Sequence, residues 1–67
     1  LNSRLEGALR GSVSDLLGVR GRLRKLVATQ RRIPLSEAER EALESALADT
    51  ERALTTLAEL AGVRYGP

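Results

Sequence analysis

Cysteine, histidine, methionine, tryptophan and phenylalanine are all missing from this chain, and Tyr65 is its only aromatic residue. Without cysteine or histidine there are no disulfides, no zinc or iron–sulfur sites of the usual kind, and no Cys–His or Ser–His–Asp nucleophile arrangement. Long apolar runs are missing as well. No apolar run exceeds four residues, far short of the ~20 that cross a bilayer or the ~7–15 of a signal-peptide core. The expected setting is therefore cytoplasmic or within an intracellularly assembled particle, with no membrane association. The chain opens on Leu1 instead of methionine, which leaves a fragment, a processed product and a non-standard start equally open.

What remains is a 67-residue chain with 42% apolar and 30% charged residues, eleven basic against nine acidic. That describes one small domain over 1–67. A chain of this size buries only about 60% of the surface it exposes when unfolded, so its core is marginal without disulfides, a metal or a partner. With the first two excluded by composition, oligomerisation or docking on another protein is the stabiliser left.

Pro34 divides the sequence, because its ring disfavours helical geometry at Ile33 and removes a backbone donor. On both sides apolar residues recur at helical spacing. Leu5, Leu9, Ser12, Leu16, Val19, Leu23, Leu26, Gln30 and Ile33 alternate steps of four and three, and Leu43, Leu47, Thr50, Leu54, Leu57 and Ala61 continue the pattern. The spacing predicts an all-α fold, an antiparallel helical hairpin with helices over about 4–32 and 37–61, a turn at 33–36 and a tail at 62–67. Ser36 with Glu39 makes a capping box at the start of the second helix, and Gly62 followed by Val63 makes a left-handed C-terminal cap. The first helix carries Gly7, Gly11, Gly18 and Gly21, each costing about 1 kcal/mol relative to alanine. Ser12-Val13-Ser14-Asp15 has capping-box form, so a break near Gly11 is the alternative to a continuous helix.

The expected helix–helix core is Leu5, Leu9, Leu16, Val19, Leu23 and Leu26 against Leu43, Leu47, Leu54 and Leu57. Val13 and Val27 flank the first seam, and Ala46, Ala53 and Leu60 the second. These widened stripes approach the three-in-seven face of a four-helix bundle and exceed the two-in-seven seam of a simple coiled coil. The hairpin is therefore expected to be completed by self-association or an obligate protein partner.

Two further features are candidates for function. Gly7, Gly11, Ser14, Gly18 and Gly21 follow steps of four and three down one side of the first helix, a small-residue face suited to close packing by another backbone. Charge is also segregated. Residues 1–33 hold eight basic and two acidic side chains, residues 34–67 three basic and seven acidic, giving net charges of +6 and −4. Arg10, Arg24, Lys25, Arg31 and Arg32 form a candidate nucleic-acid or acidic-partner face. The competing use of the same charges is pairing between helices, with Arg20 and Arg24 opposite Glu51 and Glu44, together with favourable helix-dipole placement.

Catalysis has no foothold in the sequence. No candidate base sits beside a nucleophile, and the Gly-x-x-Gly at Gly18 and Gly21 lacks the lysine of a phosphate-binding loop. No catalytic residue, cofactor, metal or small-molecule substrate is expected. The plan of two near-equal helices around a short turn is similar to the Rop family of small plasmid-encoded RNA-binding hairpins, which dimerise into a four-helix bundle. The resemblance covers architecture over most of the chain and no residue pattern. It implies outward basic side chains on the first helix, a role Arg10, Arg24 and Arg31 could fill. The leading expectation is a structural or interaction protein, a small subunit of a larger assembly such as a phage particle, filament or multi-subunit complex. RNA or DNA backbone binding, or inhibition of a host protein, are the alternatives.

Overall fold

In the computed structural model, which describes residues 2–29 and 32–66, α1 spans Ser3–Ala28 and α2 spans Glu37–Ala61, packed antiparallel as a helical hairpin. α1 is continuous through all four of its glycines. It starts on Asn2, whose side-chain oxygen accepts the Leu5 N–H at 2.8 Å, and Glu6 adds negative charge to the first turn.

α1 ends at Ala28, about a turn before the expected end at 32. Thr29 accounts for the stop. Its hydroxyl donates to the Lys25 carbonyl at 2.8 Å, and its own carbonyl accepts from the N–H groups of Arg32 at 2.8 Å and Ile33 at 3.2 Å, turning the chain before Pro34 is reached. A Thr hydroxyl that competes for backbone carbonyls in this way favours helix ends over helix interiors.

The ends of α2 follow local chemistry. Ser36 Oγ accepts the Glu39 N–H at 3.1 Å, while Glu39 Oε1 accepts the Ser36 N–H at 2.8 Å, closing the capping box. At the other end Gly62 takes φ 67°, and the Val63 N–H donates to the Ala58 carbonyl at 2.9 Å. That is a Schellman cap, for which an L side chain would be strained.

The seam between the helices is narrow. Val13, Leu54, Ala58 and Ala61 are buried, and Val13 packs with Leu54 and Ala58. Leu16, Leu17, Leu57, Val63 and Tyr65 are partly buried around them. Val13, expected beside the seam, stands at its centre, and the inward line on α1 is Leu9, Val13, Leu16, Arg20, Leu23 and Val27. The physical cause is the tail. After Gly62 the chain turns back, and Val63 and Tyr65 pack against the cluster of Val13, Leu54 and Ala58, as Leu17 does. A seam centred on Val13 gains that cover; one centred on Ser12 and Val19 would not.

The result is a rod of 46 × 17 × 16 Å with a radius of gyration of 14.2 Å. A compact chain of this length has a radius near 11 Å. Its accessible surface is 4981 Å² for 7.2 kDa, against about 4,100 Å² for a folded monomer of that mass. The excess is the surface that two helices and a short tail cannot cover for each other.

Candidate interaction surface

The faces of the hairpin follow from helix geometry. With about 100° per residue and Val13 marking the direction of α2, Leu5, Ser12, Val19, Leu23 and Leu26 lie on one side of α1, while Leu17 and Arg24 lie on the other. On α2, with Leu54 marking the direction of α1, Ala42, Ala46, Ala53, Leu57 and Leu60 turn in the same rotational sense as the Leu5–Leu26 line. The helices run in opposite directions, so equal senses of rotation open toward the same face. These two edges form one long apolar surface.

The opposite surface belongs to the tail. Arg20 places its guanidinium carbon 5.4 Å from the centroid of the Tyr65 ring, and Arg20 Nη2 donates to the Gly66 carbonyl at 3.3 Å. Tyr65 Oη lies 3.5 Å from Thr55 Oγ1. Arg24 reaches Glu51 at 3.4 Å on the same side. Arg20 thus serves the tail while Arg24 takes Glu51, a partner different from the Glu44 considered in sequence. Tyr65 is thus an internal contact, and a single aromatic beyond a helix cap carries no local signal of where it will dock.

The open face is consequently bare. Leu5 is 44% exposed, Leu26 40% and Leu60 53%. Val19, Leu23, Leu57, Ala46 and Ala53 are partly covered, and Ser12 and Ala42 are exposed between them. Of the residues expected in the helix–helix core, Leu54 is buried and Leu9, Leu16, Val19, Leu23, Leu43, Leu47 and Leu57 are partly buried. Leu26 stands outside the intrachain seam because the seam has rotated toward the tail, and Leu5, at the same angle as Leu23 but level with residues beyond Ala61, stands outside it because α2 has ended.

Gly7, Gly11, Ser14, Gly18 and Gly21 all lie exposed on the outer, tail-side flank of α1. A Cβ built on any of these four glycines meets no heavy atom within 4 Å. No segment of the chain makes a close approach there.

The five candidate basic residues do not act alike. Arg10 is held by Glu6 at 3.1 Å and Arg24 by Glu51, while Lys25 and Arg32 are exposed; Arg31 lies outside the described residues. By the same helix geometry Arg10, Arg24 and Lys25 all lie on the tail-side half of α1, and two of the three already have carboxylate partners. On α2, Arg40 pairs with Glu37 and with Glu44 at 3.0 Å, and Arg52 pairs with Asp49.

Among the described residues no polar or charged side chain is buried, and no three acidic side chains cluster to hold a metal ion. Two exposed groups are displaced from their ordinary pKa. The Ser36 backbone N–H and hydroxyl hold the Glu39 carboxyl low, and Glu37 and Glu44 hold the Arg40 guanidinium high. Both shifts belong to helix capping and helix-surface pairing. A shallow depression lined by Ala48, Glu51, Arg52, Thr55 and Thr56 on the outside of α2 carries no inward polar cluster. Among the described residues no helix is long and apolar enough to cross a membrane. Compared with protein-family models, curated proteins and solved structures, the chain matches none.

Proposed function

We propose that this chain is a non-enzymatic interaction protein, a helical hairpin that oligomerises or docks as a small subunit of a larger assembly, using the apolar face opposite its tail. One observation carries the reading. Leu5, Leu26 and Leu60 stand 40–53% exposed along that face, beside an intrachain core of four buried residues among those described. Contiguous apolar surface of this kind on a small domain marks a contact site. Burying it returns about 25 cal/mol per Å², stabilisation that the hairpin alone forgoes. As part of the same proposal we place the protein in the cytoplasm or in an intracellularly assembled particle, where the charged outer flanks of both helices stay hydrated.

Sedimentation equilibrium from submicromolar to 100 µM tests the self-associating form, and co-purification with mass analysis tests the docked form. The expected result is association that Leu60→Glu abolishes while far-UV helicity is retained, since that carboxylate is tolerated in water and costly in an apolar interface. A well-folded monomer at every concentration that co-purifies with nothing would refute the proposal.

A further inference from the structure

We infer that the open face is covered by a second copy of the chain, related by a two-fold axis parallel to the helices, so that α1 of each copy lies on α2 of the other and both turns sit at one end of a four-helix bundle. This rests on the interaction reading above and commits it to one occupant and one arrangement.

Two identical hairpins can meet across this face in two symmetric ways. An axis parallel to the helices lays α1 on α2 of the second copy. An axis perpendicular to the helices and lying in the face lays α1 on α1 and α2 on α2, with the turns at opposite ends. Charge separates them. α1 carries six basic and two acidic side chains, and α2 carries two basic and seven acidic. The second arrangement stacks +4 on +4 and −5 on −5, whereas the first makes every neighbouring pair of helices opposite in charge.

The rim of the face agrees. Val13 is level with Leu54 and Ala58. Counting equal rises in opposite directions from there, Asp15 comes level with residues 52–56 of α2, and Arg22 with residues 45–49. A parallel two-fold axis preserves those levels. It therefore leaves Arg22 within reach of Asp49 of the second copy on the outer margin of the new interface, where Asp49 also pairs with Arg52 of its own chain. Arg22 and Asp15 make no ion pair within the chain among the described residues.

Shape and size fit as well. Leu23 and Leu26 come over Ala42 and Ala46 of the second copy, and Leu60 of the second copy comes over Ala8 and Ser12, large on small at both ends. The rod is 46 Å long and 17 Å wide, so the most each copy can offer is its full projection of about 780 Å², and twice that reaches the ~1,600 Å² of stable interfaces. The tail and the glycine flank remain outside.

The test uses the absence of native cysteine. Arg32→Cys carries a nitroxide at the turn, and pulsed electron spin resonance reads the distance between the two labels. The arrangement predicts a distance of about two helix diameters, ~20–25 Å. A distance near the 46 Å length of the rod, in a species with the mass of a dimer, overturns this arrangement and leaves the interaction reading intact. A monomer without dipolar coupling removes the second copy altogether. Independently, Arg22→Asp and Asp49→Arg should each weaken self-association roughly two- to tenfold, and the double variant should recover it. Failure of that recovery, in variants of unchanged helicity, overturns the contact between α1 and α2 of the second copy.

Discussion

Replacing Gly11 and Gly18 by alanine should stabilise the protein, and the size of the gain follows from the environment of each site. Both lie inside a continuous helix, neither has positive φ, and a Cβ at either meets nothing within 4 Å. The added methyls therefore bring no clash, and only the intrinsic difference between glycine and alanine remains. That difference is about 0.4–1 kcal/mol per site, arising mainly from the narrower unfolded ensemble, so the pair should contribute about 1–2 kcal/mol. For a domain of this size each kcal/mol moves the midpoint by about 4–8 °C, which places the expected rise in Tm near 5–15 °C. Thermal melts followed by circular dichroism at 222 nm at a fixed protein concentration measure it directly. The glycine flank points away from the open face, so the association constant from sedimentation should not change. A lower Tm or weaker association would mean that this flank is a closely packed contact after all, and the assignment of the interface to the opposite side would be wrong.

Leu54→Ala empties the most deeply buried site in the chain and should cost about 2–5 kcal/mol, enough to unfold much of a domain whose total stability is on the order of 3–10 kcal/mol; urea titration gives the value. Tyr65→Ala should free the tail and uncover Val13, lowering Tm by several degrees on the scale of ~4–8 °C per kcal/mol, and the Arg20 side chain should gain mobility in NMR relaxation. Glu39 has a folded pKa below its unfolded one, so its contribution to the α2 cap is complete above the unfolded value and is lost as pH falls through the lower, folded value; acid titration of helicity should show that step, and Glu39→Gln should remove it while retaining much of the cap. Duplex RNA should show no salt-sensitive binding at low ionic strength, because Arg10 and Arg24 already have carboxylate partners; a steep salt slope would reopen the nucleic-acid alternative.

Features whose cause lies within a few residues of chain were legible in the sequence. The capping box at Ser36 and Glu39, the left-handed stop at Gly62 and the apolar periodicity of both arms depend on neighbours three or four positions apart, and the hairpin follows once a short link joins two such arms. Even the end of α1 was local, since Thr29 competes for carbonyls of the preceding turn, though a competing hydroxyl is a weaker mark than a proline. The rotation of the seam could not be read in this way. Leu5, Ser12, Val19 and Leu26 and the neighbouring line through Val13, Arg20 and Val27 are nearly equal as stripes on an isolated helix. Choosing between them depends on what covers each side.

Only the folded chain supplies that cover. The tail comes back on one side of the hairpin, Tyr65 takes Arg20 against its ring, and the seam turns toward it, leaving Leu5, Leu26 and Leu60 on the other side in water. Helix existence, helix ends and charge asymmetry are properties of short stretches and were determined by the sequence on its own. Which face is closed and which is left for another molecule is a property of contacts between residues some forty-five positions apart, such as Arg20 with Tyr65 and Gly66, and was decided by packing.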